Sequence, residues 1–258
     1  AENALSSMIA ISDPSPCIDG IPGNEKMLDR FLNPADIGGR YSALSFVGLV
    51  AASLLGIDLD PLLAAGSVAA AALREPEPTA NRAVALGVVI GALAREGRDK
   101  LTLVVDAPID GFGAWAEQLV AESTGKHGVG VVPVDGEPLG AVADYQDDRL
   151  FVRISLDGGR DPVAADGSSV ETRLSALAAA GHPVIELNLS DPIDLGGEFM
   201  RWEIATAIAG VVLGINPFDE PNVTESKNNT VAVLGELAAA GKLPELAPKA
   251  VDGALQIW

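Results

Sequence analysis

The chain has few cysteines and few cations, and each shortage excludes a class of protein. Its 258 residues include one cysteine, so an internal disulfide cannot form and the fold does not depend on an oxidising compartment. Lysine and arginine total 17 against 36 acidic residues, which gives a formal net charge of −19. Because a nucleic-acid-binding protein needs a basic face, we expect no nucleic acid among the partners.

Long apolar runs are also missing. The longest uncharged stretch, residues 41–57, is shorter than the ~20 residues of a membrane-spanning helix, and Gly48 and Gly56 interrupt it. The first residues have neither the basic start nor the apolar centre of a signal peptide. The sequence therefore predicts a cytoplasmic protein with no membrane partner.

The chain does contain a regular alternation of strand-like and helical segments from residue 101 onward. Apolar, β-branched strands are predicted at 101–106, 129–134, 150–156 and 184–189, and helices at 112–121, 171–180, 195–213 and 223–240. This alternation predicts an α/β fold in which parallel strands are joined by right-handed crossovers. We expect a three-layer αβα sandwich with a mostly parallel sheet, similar to a Rossmann fold.

The N-terminal third contains fewer strands. Short strands are predicted at 8–12 and 30–33, and helices at 42–55, 60–73 and 81–95. Glu75-Pro-Glu-Pro78 has the composition of a linker, so we expect one domain over residues 1–78 and another over 79–258. Because two strands are too few for an α/β domain, we also expect that an N-terminal part of the fold is missing from this chain.

Ligand sites in open α/β sheets lie beyond the carboxyl ends of the strands, so the loops after strands are the first candidates. Gly38-Gly-Arg-Tyr-Ser42 follows a predicted strand and precedes a helix. Its two glycines allow a ligand close to the backbone, and Arg40 sits near a helix N-terminus, where an anion is favoured. An ordinary turn with a solvated arginine is the alternative.

Glu122 ends a predicted helix one turn before Gly125. A carboxylate there opposes the helix macrodipole, which suits a general base. The alternative is a solvated surface glutamate.

Lys227 lies in the first turns of the last long helix, after the turn Asn216-Pro-Phe-Asp219. Pro217 and Pro221 force a defined bend before it. The alternative is a surface lysine on an amphipathic helix.

The segments Gly38-Gly-Arg-Tyr-Ser42, Glu122-Ser-Thr-Gly-Lys126 and Ile215-Asn-Pro-Phe-Asp-Glu-Pro-Asn-Val-Thr-Glu-Ser-Lys227 resemble, in order and spacing, those of glucose-6-phosphate isomerases. The similarity is greatest to the isomerase half of bacterial transaldolase/glucose-6-phosphate isomerase fusions, and it implies a C-terminal portion of such an enzyme. The family fold is a pair of sugar-isomerase (SIS) α/β subdomains. Residues 1–78 would be the remnant of the first with its connecting helices, and residues 79–258 the second with a C-terminal helix.

The resemblance also implies roles. Glu122 would be the base that moves a proton between C2 and C1 of the sugar phosphate, and Arg40 would stabilise the cis-enediolate. Lys227 would lie by the ring oxygen or the charged end of the substrate, and Gly38 and Gly39 would bind substrate beside Arg40. The resemblance implies no metal or organic cofactor. It does imply a homodimer. We also expect Arg40, Glu122 and Lys227 to converge on one cleft.

Two departures from the family pattern matter. The family holds the substrate phosphate in a Ser/Thr-rich loop upstream of the first strand, which this chain does not include, so the isolated chain is expected to be inactive. The family also uses a histidine from the neighbouring subunit for ring opening, and neither His127 nor His182 lies in a matching motif. Residues 167–172 look like a phosphate loop, but Ser168 with Glu171 predicts a capping box instead.

Two other functions remain open. One is a dual phosphoglucose/phosphomannose isomerase on the same scaffold. The other is a non-enzymatic SIS domain that binds sugar phosphates for regulation, against which the absence of a basic tail or a helix-turn-helix counts.

Overall fold

A four-stranded parallel sheet forms the centre of the chain. In this computed structural model, which describes residues 4–14, 16–75, 77, 80–243 and 247–257 (and only the backbone of Pro16 and Cys17), the strand order is β4-β3-β5-β6. The strands are β3 (Lys100–Val105), β4 (Val132–Val134), β5 (Arg149–Leu156) and β6 (Val184–Leu189). The two inner strands, β3 and β5, are buried nearly throughout, as expected for a parallel sheet that is covered on both faces.

Helices cover both faces of this sheet. The helices are α4 (Arg82–Arg95), α5 (Gly111–Thr124), α6 (Val170–Ala179) and α7 (Leu195–Leu213). Alternate residues of β5 point to two separate cores: Val152 packs with α4, α5 and α7, whereas Phe151 packs with α6. The predicted three-layer αβα sandwich with a parallel sheet is thereby confirmed.

The N-terminal part carries a second, smaller sheet. Strands β1 (Ile9–Ser12) and β2 (Asp29–Leu32) pair in parallel, with α1 (Pro16–Asp19) between them. Helices α2 (Phe46–Leu54) and α3 (Leu59–Ala72) follow, and α3 packs against α7. Pro76 and Pro78 of the predicted linker lie outside the described residues.

The chain divides by its internal contacts into two units, Ala1–Phe218 and Asp219–Trp258. The second contains helix α8 (Pro221–Ala240), which has no buried residue, and an antiparallel pair of β7 (Ala250–Asp252) and β8 (Leu255–Ile257). The boundary that the sequence predicts at residue 78 stays a prediction.

The predicted helix at 42–55 begins too early. Residues Gly39–Tyr41 form a short 3-10 helix, and the Ser42 hydroxyl donates to the Gly39 carbonyl at 2.5 Å. The helix proper starts after Ser45, whose side chain accepts a hydrogen bond from the Val47 amide as an N-cap. Arg40 is thus held in a tight turn rather than in the first turn of α2.

Candidate functional site

Arg40 is the most deeply buried cation among the predicted site residues. It is 3% exposed, and its Nε donates to the Ser123 hydroxyl at 2.8 Å. Its Nη2 donates to the Pro217 carbonyl oxygen at 2.9 Å. A buried guanidinium needs such partners because an unsolvated charge is costly, so these bonds fix the position of Arg40. Ordinary solvation, the alternative left open by the sequence, does not apply to this arginine.

Glu122 lies beside this fixed charge. Its Oε2 is 4.0 Å from Arg40 Nη1, and its side chain is 41% exposed whereas that of Arg40 is 1% exposed. The other carboxylate oxygen, Oε1, accepts a hydrogen bond from Gln118 Nε2 at 3.1 Å. The structure therefore brings together two of the three predicted catalytic side chains, with the carboxylate on the accessible side.

Tyr41 joins the same cluster from the 3-10 helix. Its hydroxyl lies 3.0 Å from Ser123 Oγ and 3.3 Å from the Pro217 carbonyl oxygen. Burial raises the pKa of the Tyr41 phenol, while Ser123 and Arg40 act to lower it. The phenol is therefore a hydrogen-bond donor at neutral pH, and Ser123 is the acceptor that it shares with Arg40.

Lys126, like Arg40, binds a backbone carbonyl oxygen, that of the residue before Pro217. It is 3% exposed, and its Nζ donates to the carbonyl oxygen of Asn216 at 2.7 Å. The Asn216 side chain in turn accepts a hydrogen bond from the Phe218 amide at 3.1 Å. Arg40 and Lys126 thus hold consecutive backbone carbonyls, and all three sequence motifs meet at residues 216–217.

Lys227 is the third predicted catalytic residue. It is exposed on α8, in the second unit of the chain, which is described by itself. Its predicted convergence with Arg40 and Glu122 stays a prediction.

Gly38 and Gly39 do not have the left-handed backbone that only glycine favours. Gly38 is extended, with φ −65° and ψ 153°, and a Cβ at Gly39 would meet no atom within 4 Å. Gly39 lines a cavity of about 700 Å³ whose other walls are mostly apolar and include neither Arg40 nor Glu122. What Gly39 provides here is open space beside the backbone.

The location of Glu122 differs from the expectation that functional loops follow the strands. Helix α5 runs from the carboxyl end of β3 to the amino end of the parallel strand β4. Glu122, in the last turn of α5, therefore lies at the amino edge of the sheet. The general rule for open sheets does not locate this carboxylate.

The two histidines lie in different settings. His127 is exposed in the loop after α5, with φ 55°. His182 is buried and packs edge-on against the Phe151 ring, with a centroid distance of 5.6 Å. Neither is hydrogen-bonded or ion-paired to Arg40 or Glu122 in the bonds that the structure describes.

The loop that resembles a phosphate site is built around an acid. Asp166 accepts hydrogen bonds from Ser168 Oγ at 2.7 Å and from Arg173 Nη2 at 2.5 Å, and these bonds hold the pKa of Asp166 well below its usual range. A permanently ionised carboxylate repels phosphate. The predicted capping box of Ser168 with Glu171 is wrong: the N-cap is Ser169, whose hydroxyl accepts a hydrogen bond from the Thr172 amide.

Neither a metal site nor a membrane-spanning helix is found among the described residues. No group of three or more histidine, cysteine, aspartate or glutamate side chains among them is placed to hold a metal ion. None of the helices in the described part of the chain is long and apolar enough to cross a membrane.

Sequence reasoning missed Tyr41, Ser123 and Lys126, although all three lie inside the quoted motifs. It also missed Glu203, which with Glu198 and Arg201 interrupts the largely apolar helix 195–213. Burial raises the pKa of Glu203 to about 7. Only the fold reveals that Ser123 and Lys126 are buried and that Tyr41 and Glu203 are partly buried.

Glucose-6-phosphate isomerases of several bacteria are similar to this chain in sequence. No protein-family model matches the chain. A glucose-6-phosphate isomerase of Symbiobacterium thermophilum is 33% identical over 241 residues, which cover 80% of this chain and 53% of the relative. The chain spans about half the length of the curated relatives that it matches.

Solved structures share the fold. A hypothetical protein from Thermus thermophilus matches 91% of this chain and 64% of its own length, with a TM-score of 0.77 and 23% identity. A glucose-6-phosphate isomerase from Chlamydia trachomatis matches 91% of this chain and 53% of its own length, with a TM-score of 0.65 and 19% identity. These similarities establish a common α/β architecture.

Proposed function

We propose that this chain carries the proton-transfer residues of an enzyme that interconverts glucose 6-phosphate and fructose 6-phosphate, because it is similar to glucose-6-phosphate isomerases over about half of their length. The observation that carries this proposal is the pair of Arg40 and Glu122, 4.0 Å apart, with only the carboxylate accessible.

The chemistry requires a base and a nearby cation. In the open-chain sugar, a carboxylate removes the proton from C2 and negative charge develops on the oxygens of the cis-enediolate. The hydroxyl proton of O2 passes to O1, and the carboxylic acid returns its proton to C1. Glu122 is the proposed base. Arg40 is the proposed cation, acting on the developing oxyanion from a fixed position.

The burial of Arg40 supports an electrostatic role. The hydrogen bonds that its guanidinium donates to Ser123 and Pro217 fix its position before any substrate binds. A preorganised charge in a poorly solvated setting stabilises a developing negative charge without reorganisation, which is the usual source of such stabilisation in enzymes. This stabilisation acts through space, so Arg40 can supply it without touching the substrate.

The finer parts of the proposal follow from the family resemblance. Lys227 would act near the ring oxygen or the charged end of the substrate, and Gly38 and Gly39 would leave room for it. A homodimer in the cytoplasm, descent from a transaldolase fusion and inactivity of the isolated 258 residues belong to the same proposal.

The test is Glu122→Gln, made in the full-length polypeptide that carries these residues. We expect isomerisation of both sugar phosphates to fall by roughly 10²–10⁴-fold, because general-base catalysis contributes about that factor. The matched control is Glu117→Gln, an exposed carboxylate on the same helix α5, which should keep its rate. Circular dichroism checks that both variants fold.

A Glu122→Gln variant with more than half of the parent activity would show that Glu122 is not the base. Mannose 6-phosphate is assayed in parallel, since turnover of that sugar identifies the dual-specificity alternative. Tight sugar-phosphate binding without turnover in the unmodified protein would favour the regulatory alternative.

A further inference from the structure

Glu203 is a buried acid that the proposed reaction does not use. It interrupts the apolar helix α7, and its Oε1 is buried with no hydrogen-bond partner among the described residues. The other acid of this helix, Glu198, has an ion-pair partner in Arg201. A buried polar atom without a partner is uncommon in folded proteins and calls for a functional or structural explanation.

The helix geometry places Glu203 beside the Arg40 cluster. Phe199, one turn earlier, packs edge-on against Trp115 of α5 with a centroid distance of 4.8 Å. Gly210, two turns later, is so close to Pro217 that a Cβ there would meet its ring at 2.8 Å. Spacings of four and seven residues put these positions on one face of α7, which therefore runs along α5 toward Pro217.

Glu203 acts electrostatically on Tyr41. Burial is the main reason that the pKa of the Tyr41 phenol is raised, and the Glu203 carboxylate adds to this increase. Burial also raises the pKa of Glu203 itself to about 7, so its charge changes near neutral pH. Neighbouring elements contribute the charged or titratable groups Arg40 and Tyr41 of the 3-10 helix, Glu122 of α5 and Lys126 after α5.

We propose that Glu203 is a positioning residue of the candidate active site, acting on Arg40 through Tyr41 and Ser123. The Tyr41 phenol stays protonated on both sides of the Glu203 ionisation, so the charge at Glu203 acts through its electric field on a hydroxyl that donates toward Ser123 and Pro217. Because Ser123 Oγ also accepts from Arg40 Nε, the orientation of its hydroxyl links Tyr41 to the arginine. The proposal rests on the proposed function only for the catalytic importance of Arg40 and Glu122.

The composition of the chain allows a direct test of this link. Only two tyrosines occur, so in a Tyr145→Phe background Tyr41 is the sole tyrosine. The protein is labelled with ¹³C-tyrosine and the pH is varied from about 5 to about 9. We expect the chemical shift of the Tyr41 ring to show a one-proton transition with a midpoint near 7, which reports the ionisation of Glu203. The added substitution Glu203→Gln should remove that transition, and Glu117→Gln should leave it in place.

The alkaline titration of the phenol provides a second measurement. Glu203→Gln should lower the pKa of Tyr41, since it removes a neighbouring negative charge. A transition near 7 that persists in Glu203→Gln, or a Tyr41 resonance that is flat in the parent protein, would overturn the proposal. Both measurements use the chain itself and need no turnover.

Activity then separates the two hypotheses. In the full-length polypeptide, Glu203→Gln should shift the pH profile of kcat while leaving KM within about twofold, whereas Glu203→Asp, which retains the charge, should restore part of the profile. An unchanged pH profile in Glu203→Gln would contradict the positioning role. If instead Glu122→Gln keeps full activity while the Tyr41 transition depends on Glu203, the isomerase proposal fails and the coupling stands.

Discussion

Ser123 is the residue on which the local geometry depends most. It is fully buried, and its single hydroxyl receives the Arg40 Nε and the Tyr41 hydroxyl. The residue itself is small and uncharged, so its sequence position next to Glu122 is the only hint of its importance. Its hydroxyl fixes the cation against which the neighbouring carboxylate lies.

Ser123→Ala is expected to destabilise the protein by about 1–3 kcal/mol, because the buried Nε of Arg40 loses its acceptor. Urea denaturation measures the free energy of unfolding. The control is Ser53→Ala on the exposed surface of α2, which should change that free energy by less than about 0.5 kcal/mol. Equal stability of Ser123→Ala and the parent would mean that Ser123 does not hold Arg40.

At the scale of elements, α4 and α7 approach each other through glycines. A Cβ at Gly87 would lie 2.3 Å from the carbonyl oxygen of Ala205, and one at Gly91 would lie 2.8 Å from the Val212 side chain. The two helices can pack this closely only because these side chains are absent. Helix α7 is thereby held in the position that presents Glu203 and Gly210 toward the site.

Gly87→Ala is expected to destabilise the protein by roughly 1–3 kcal/mol, since the added methyl group forces the helices apart. This result would oppose the intrinsic preference of alanine for helices. Gly235→Ala on the exposed helix α8, where a Cβ meets nothing within 4 Å, should instead keep or raise helicity on heating. Thermal unfolding followed by circular dichroism compares the two, and a stabilised Gly87→Ala protein would refute the close-packing interpretation.

Elements whose apolar pattern follows one periodicity could be predicted from the sequence. The helix at 195–213 and the strand at 184–189 occur with the predicted bounds. The pair β7 and β8 was missed because every residue in it is exposed and no alternation marks it. The predicted strand at 129–134 is reduced to Val132–Val134, an edge strand that tolerates Pro133.

At the site, the sequence predicted the charged residues but not the bonds between them. Arg40 and Glu122 could be selected because each lies in a motif with a known chemical use. Ser123 and Lys126 could not, because their importance comes from buried carbonyls and hydroxyls that only the folded chain brings near. The amino-edge location of Glu122 also required the strand order.

At the scale of the whole molecule, buried acids couple folding to pH. The pKa of Glu203 is raised by burial from its ordinary value of 4.5 to about 7, and burial also raises that of Glu198. Burial also raises the pKa of Asp135, so these carboxyl groups of a chain with net charge −19 bind a proton more tightly when folded than when unfolded. The folded state therefore retains protons that the unfolded state releases.

We expect the free energy of unfolding to fall as pH rises from about 4.5 to about 7 and to level off above that pH. Because the folded-state pKa of Glu203 is raised, its contribution is complete below about pH 4.5 and is lost as pH increases through the folded value. Glu203→Gln should flatten this decline by about 1–3 kcal/mol. Urea denaturation at a series of pH values measures it, and parallel curves for the two proteins would contradict the assignment.

Arg40 and Lys126 both bind main-chain oxygens, of Pro217 and Asn216, and this choice limits how mutations can be repaired. Every amino acid supplies the same carbonyl group, so neither bond depends directly on which side chain stands at 216 or 217. The reverse does not hold, since a lost cation cannot be rescued by exchanging its partner. A second mutation that compensates for the loss of Arg40 or Lys126 must therefore lie at a position other than 216 or 217.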